Sequence, residues 1–350
     1  MKSYRFKDYT QPLELMVDDD PQPVGAEVVV RISGCGVCHS DLHIWDGHFD
    51  MGGGNKADIT HGRKLPFTLG HEIVGVVVAM GPEATGCSIG QKSVVYPWIG
   101  CGDCEVCAAG NEHFCAKGRQ LGVQVDGGYS DHVKIPHSRY LFPFGNADPA
   151  LASTYACSGL TAFSALNKVK AKAEGGSVLI IGAGGVGMAG VMMAQAMMDT
   201  TIIVADIDEE KLAKAKEYGA HHLVDSTDPD ARKQVMALSG GGIKAVVDFV
   251  GSDKSVGFGM SVLAAQGCLV IVGLFGGALS VSTALFPLKG ITVMGSLVGS
   301  LQEMADLMEL VRAGKVKPLP YTSRPLEEAD RSLRDLRDGK IIGRVVLQAQ

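Results

Sequence analysis

Apolar and polar positions change rhythm twice along this chain. Up to about residue 155 they form short β-rich runs, such as Val28-Val29-Val30 within 27–32 and Val76-Val77-Val78 within 74–78, broken by Gly and Pro. Such text predicts a compact, largely antiparallel domain with long loops. From about residue 177 the runs lengthen. Residues 177–181 read as a strand buried on both faces, and a helix is expected over 186–198. Strand-like runs recur at 201–205, 222–224, 245–250 and 268–272, with helical segments between them. Apolar strands alternating with helices predict a parallel sheet covered on both sides. After about 295 come helical stretches at 302–313 and 326–338, then a last strand at 341–347.

Composition narrows the picture. The chain has 350 residues, 46% of them apolar, enough for two domains with separate cores. Its net charge of −6 and its lack of a basic tract argue against a nucleic-acid partner. The apolar stretch 178–198 has the length of a membrane span, but its five glycines divide it into strand, turn and helix. The opening residues Met1 to Asp8 lack the apolar core of a signal peptide, so the expected location is the cytoplasm, with no membrane partner.

The first chemical signal is cysteine spacing. Cys101, Cys104, Cys107 and Cys115 form C-x2-C-x2-C-x7-C inside a lobe at 98–118. Four thiols so close in sequence can converge on one point, as a closed tetrahedral zinc site requires. A pair of disulfides would instead need an oxidising compartment. Cys35, Cys87 and Cys268 have no motif partner and read as packed thiols.

A second signal lies at Gly182-Ala183-Gly184-Gly185-Val186-Gly187, a G-x-G-x-x-G run directly after the 177–181 strand and at the start of the expected helix. In that setting Gly182 permits the tight turn, Gly184 lets a pyrophosphate approach the backbone, and Gly187 lets helix and strand pack closely. Gly185 and Val186 complete the loop, where the helix N-terminus favours an anion. Asp206 ends the next strand, at the position where a carboxylate accepts both adenosine ribose hydroxyls and repels a 2′-phosphate. The next residue is Ile207 rather than an arginine, so NAD is favoured over NADP.

A third group is scattered: Cys38 and its neighbours, His71-Glu72, and Cys157. Two thiols and an imidazole would leave one position of a zinc ion open to substrate, but spacing alone does not link them. Taken with Gly36–His43, Gly70–Gly75, the cysteine lobe, Cys157–Ala162 and Gly182–Gly187, however, the whole chain resembles a zinc-dependent alcohol dehydrogenase of the medium-chain dehydrogenase/reductase superfamily, in its bacterial and archaeal homotetrameric branch. The resemblance implies an α/β fold in which a Rossmann coenzyme domain (156–294) is inserted in a GroES-like, β-rich catalytic domain (1–155, resumed at 295–350). It implies two zinc ions per subunit, NAD, a small alcohol or aldehyde as substrate, and a homotetramer or homodimer. Cys38, His71 and Cys157 resemble the catalytic zinc ligands, and Glu72 a carboxylate able to join them temporarily. Asp41 resembles the acid that orients His71. Ser40 resembles the hydroxyl on the substrate oxygen, and His43 the outer end of a proton relay. His39 and Arg344 resemble pyrophosphate partners, and Lys211 a ribose contact. Trp45, Phe49 and Trp98 resemble residues lining the substrate cleft, which would then suit aromatic or medium-chain alcohols. A polyol or threonine-type dehydrogenase of the same superfamily, or a non-catalytic zinc-ribbon protein, are the other readings. The long loop over 47–63 either rims the substrate cleft or lies at a subunit contact, and the sequence leaves both open.

Overall fold

The computed structural model describes residues 1–349, which form two compact units. One comprises Met1–His48, Asp58–Leu160 and the described residues 300–349, the other Phe49–Ala57 and Thr161–Gly299. The boundaries expected at 155 and 295 thus stand at 160 and 300. The shift at the first has a simple cause: the chain crosses within continuous helix, Tyr155–Gly159 running into Leu160–Ala173, where composition gives no break.

In the first unit, Val28–Gly36 is central to a seven-stranded sheet. Glu72–Met80 pairs antiparallel on one side and Arg344–Gln348 on the other. The last strand starts at Arg344 and not at 341, because Gly343 adopts φ +79° and ends a turn there. The register places Gly36 opposite both Glu72 and Val346. A Cβ on Gly36 would lie 2.0 Å from Glu72 Oε2, so this glycine makes room for a buried carboxylate at the strand ends.

The second unit is built on six parallel strands: β1 (Ser177–Ile181), β2 (Thr201–Asp206), β3 (His222–Asp225), β4 (Ile243–Asp248), β5 (Leu263–Ile271) and β6 (Thr292–Gly295). Their order is β3-β2-β1-β4-β5-β6, the doubly wound arrangement with a switch point between β1 and β4. Leu179, Ile203, Val246 and Leu269 lie in its fully buried core. β6 escapes the sequence pattern because it is four residues long and ends in glycine. Between β1 and the helix Gly185–Met197, a Cβ on Gly187 would sit 1.8 Å from the Gly182 carbonyl oxygen, which explains the glycine.

The stretch over 47–63 is not an open loop. His48–Gly52 and Asn55–Asp58 form a β-hairpin whose turn, Gly53-Gly54, has φ +61° and +82°. Two positive φ angles in a two-residue turn match the natural twist of paired strands, so the Gly-Gly pair was a readable hairpin signal. Among the described residues, no helix is long and apolar enough to cross a membrane.

Candidate metal centres and dinucleotide site

The four lobe cysteines converge. Their sulfurs all lie within 4.8 Å of one another, with Cys101–Cys107 at 3.9 Å, Cys104–Cys107 at 3.5 Å and Cys104–Cys115 at 3.8 Å. Zinc–sulfur bonds of ~2.3 Å give a tetrahedron with edges of roughly 3.8 Å, whereas a disulfide would bring two sulfurs to ~2.05 Å. The lobe therefore fits a closed zinc site and no disulfide; all four thiols are free. Sequence reasoning missed Glu112, a buried carboxylate that accepts from Gly100 N–H at 3.1 Å and Tyr140 O–H at 2.7 Å and pairs with Arg139 at 3.0 Å. It anchors the lobe to the surrounding sheet.

A second cluster unites Cys38, His71 and Cys157, all buried, with their ligand atoms within 4.8 Å of one another. Each arrives on a different element. Cys38 is the N-cap of the helix His39–Asp46, and Asp41 Oδ2 accepts its N–H at 2.9 Å. His71 precedes the strand Glu72–Met80. Cys157 lies on a π-helical turn, Tyr155–Gly159, a distortion often found at functional sites and invisible to periodicity. That turn is pinned by Trp98 Nε1–H donating to Ala156 O at 2.9 Å and by Ser158 N–H donating to Glu72 Oε1 at 3.1 Å.

Asp41 Oδ1 stands 3.1 Å from His71 Nδ1, on the side of the ring away from Nε2; neither ring nitrogen has a hydrogen-bond partner. Tyr129 O–H, not foreseen, donates to Asp41 Oδ2 at 3.0 Å. Cys38 and Cys157 sulfurs are 4.0 Å apart. The hydrogen bond from Cys157, with His71 adding to it against the effect of burial, holds the Cys38 thiol well below its usual value. The same contact, then burial, pushes Cys157 well up. Burial opposes the charged form of His71, but Asp41 and Cys38 outweigh it and raise its pKa. An orphaned buried imidazole nitrogen beside two soft sulfurs fits zinc with an open fourth position.

Beside this cluster, burial pushes the Glu72 carboxyl up to about 7, against the pull of Arg344. The two form a buried ion pair. Arg344, expected on a pyrophosphate, is thus turned onto Glu72, and its Nε has no hydrogen-bond partner. Ser40 and His43 are three residues apart in the helix His39–Asp46 and so share a face, as do His39 and His43. Burial, then the nearby His39, lowers the pKa of His43.

The aromatic expectations divide. Trp98 lies beside the metal cluster, its ring 5.3 Å from that of His71. Trp45 does not line a cleft. It is 0% exposed, donates from Nε1 to Gln11 O at 2.7 Å, and is covered by Arg334 and Arg337 at 5.4 and 4.5 Å from its ring. An amphipathic helix presents large apolar residues to its core, and here the core is the helix Ala329–Arg337. Phe49 belongs to the hairpin of the second unit.

In that unit the glycine loop has the shape of a phosphate cradle. Gly184 caps the helix Gly185–Met197, and a Cβ on it would meet nothing within 4 Å, so open space faces the helix N-terminus. Asp206 Oδ2 accepts from Ala183 N–H at 2.5 Å and Oδ1 from Ile207 and Asp208 N–H at 2.7 and 3.0 Å. Lys211 pairs with Asp208 at 3.4 Å and not with Asp206. Sequence reasoning missed Asp248 at the end of β4, a buried carboxylate accepting from Val250 and Gly251 N–H and from Ser255 O–H.

Residues 25–145 match the alcohol dehydrogenase GroES-like domain, and residues 185–313 match the zinc-binding dehydrogenase family. The NAD-dependent alcohol dehydrogenase of Sulfurisphaera tokodaii is 37% identical over 349 residues, 99% of each chain. The chain belongs to the zinc-dependent alcohol dehydrogenases of the medium-chain dehydrogenase/reductase superfamily. The crystal structure of the alcohol dehydrogenase from Aeropyrum pernix superposes with a TM-score of 0.88 at 33% identity, over 99% of this chain and 100% of that one. The D-arabinose dehydrogenase of Sulfolobus solfataricus follows at 0.84 and 27%, over 99% of each. The fold is the family's, with GroES-like and Rossmann-type domains, and its zinc finds two candidate clusters, the four lobe cysteines and Cys38, His71 and Cys157.

Metal analysis of this alcohol dehydrogenase is expected to return two zinc ions per chain. Cys104→Ser should lose one of them together with thermal stability, because closed zinc sites contribute folding energy. Cys38→Ser should lose the other and stay folded. Equal unfolding of both variants would show that the two centres do not divide into structural and catalytic.

Proposed function

We propose that this alcohol dehydrogenase oxidises aromatic and medium-chain primary or secondary alcohols with NAD⁺, and reduces the corresponding aldehydes and ketones. The observation carrying the proposal is the convergence of Cys38, His71 and Cys157, with Asp41 behind His71. We assign these three residues to the catalytic zinc, Glu72 to temporary ligation, and the four lobe cysteines to the structural zinc. Zinc held at these sites would supply Lewis acidity toward the substrate oxygen, and bound NAD⁺ would supply the hydride acceptor.

The protein's own residues handle the proton. Ser40 Oγ takes it from the substrate hydroxyl and passes its own to His43 on the same helix face. The lowered pKa of His43 keeps the imidazole neutral, and so able to accept, at neutral pH. Arg344 neutralises Glu72, and its unpartnered Nε is the donor left for a phosphate, alongside His39. Gly182–Gly187 hold the pyrophosphate, and Asp206 with Lys211 the adenosine ribose. Trp98, an apolar ring beside His71, supports substrates with aromatic or long alkyl groups. A homotetramer or homodimer is supported by the open edge strand β6 and the exposed Leu274, Phe275, Leu285 and Leu288 in the same unit.

NAD⁺ reduction measured across primary, secondary, aromatic and sugar alcohols tests the substrate class. Benzylic and medium-chain alcohols are expected to give the highest kcat/KM; a preference for sugars or threonine would replace this substrate class with a polyol or amino-acid one.

Asp206→Gly is expected to weaken NAD⁺ by roughly 10–100-fold, the scale of lost hydrogen bonds to a charged group, and to favour NADP⁺ relatively. The ratio of the two KM values reads this, and a wild type indifferent to the 2′-phosphate would refute the role of Asp206.

His43→Gln should slow alcohol oxidation most near neutral pH, by on the order of 10²-fold or less, since water or hydroxide can substitute. The wild-type rate should fall as pH drops through a pKa below the ordinary histidine value, where His43 becomes charged. In His39→Ala that limb should move to higher pH, because a like charge is removed. An unchanged profile in His43→Gln would mean that the proton leaves by another route.

A further inference from the structure

Residues Phe49–Ala57 interrupt the sequence of the first unit yet pack with the second. Glycines define their seat. A Cβ on Gly52 would stand 2.3 Å from the Gly277 carbonyl carbon and 2.8 Å from Ala278 N. A Cβ on Gly276 would stand 2.6 Å from Asp50 O. Backbone approaches this close leave no room for a side chain at Gly52 on the hairpin or at Gly276 on its seat.

The stretch on which it docks follows the carboxyl end of β5. It is laced to the segment leaving β4: Phe275 N–H donates to Val250 O at 3.1 Å and Gly276 N–H to Gly251 O at 3.2 Å. Open parallel sheets bind ligands outside the carboxyl ends of their strands, and a dinucleotide lies across the switch point, here between β1 and β4. Asp206 at the end of β2 takes the adenosine half to one side. The other half therefore runs over the ends of β4, β5 and β6. At that rim a separate observation points to a ligand. Ser296, one residue past β6, is 8% exposed, and its Oγ has no hydrogen-bond partner. A buried hydroxyl left unpaired is costly unless something binds it.

We propose that the hairpin Phe49–Ala57 forms a wall of the nicotinamide half of the coenzyme site, seated on the β5 rim through Gly52–Gly277 and Asp50–Gly276. The inference rests on the NAD reading above and adds a binding element to it. Its signature is selective. Lifting the hairpin weakens a ligand that carries nicotinamide and spares one that stops at the second ribose.

NADH and ADP-ribose titrated into the wild type, Gly52→Ala, Gly276→Ala and Gly54→Ala test this. Gly54 has φ +82° against +81° for Gly52, but a Cβ on Gly54 meets nothing within 4 Å, so that variant carries the backbone strain without the clash. Gly52→Ala and Gly276→Ala are expected to weaken NADH about tenfold, the scale of one lost hydrogen bond or packed group, and to leave ADP-ribose affinity unchanged. Gly54→Ala should match the wild type for both. Unchanged NADH affinity in Gly52→Ala would remove the hairpin from the site. Equal losses for NADH and ADP-ribose would place the damage in the sheet, and an effect of Gly54→Ala equal to that of Gly52→Ala would assign it to strain; either overturns the proposal. A wild type that binds neither nucleotide would instead overturn the NAD reading itself.

Discussion

Asp41 is a fully buried carboxylate, and a buried anion is tolerated only when donors surround it. Its donors are Cys38 N–H, Tyr129 O–H and Gly70 N–H, and the His71 ring stands 3.1 Å away, so one charge fixes three separate segments. The same anion lies in the first turn of the helix His39–Asp46, where the helix dipole favours it. Helix start, thiol position and imidazole orientation are therefore not independent. A change that moved Asp41 would displace two of the three clustered ligands together, and with them the face that carries Ser40 and His43.

The two candidate metal centres differ in how they are assembled. The cysteine lobe draws all its ligands from one short segment, so it can close on itself with little help from the rest of the unit. The second cluster takes each ligand from a distant element and braces each one: Asp41 accepts from Cys38 N–H and stands against His71, and Trp98 with Glu72 holds the π-helical turn bearing Cys157. Such a centre inherits its rigidity from the whole sheet around it, as an open site needs if its geometry is to survive the loss and gain of an exchangeable ligand.

This contrast also explains what could be read in the sequence. Local patterns were legible: the cysteine spacing, the β1–loop–helix unit with its glycines, and the buried parallel strands β1 to β5. Cys38, His71 and Cys157 were linked only through family resemblance, since nothing in local spacing joins residues brought together by tertiary packing. Trp45 was misjudged because an aromatic on a helix gives the same signal whether it faces a cleft or a neighbouring helix, and the arginines that cover it lie far along the chain. Glu112, Tyr129 and Asp248 carried no signal, because a buried polar residue is recognisable only by the donors that surround it. The turn Gly53-Gly54 did carry a hairpin signal, masked by the glycine-rich text on either side.

The strand Arg344–Gln348 completes the sheet beside Val28–Gly36, and its first residue reaches Glu72 across a sequence separation of 272. The coenzyme unit between them is nearly continuous in sequence, from Thr161 to Gly299. Order of synthesis thus separates the two halves of the molecule. During translation the nucleotide-binding half has all its strands while the other still lacks an edge and the cation that neutralises Glu72. Until that late strand arrives, the nascent chain carries an unpaired sheet edge and an uncompensated acid beside its cysteines, a state exposed to mispairing and dependent on fast closure of a very long-range contact.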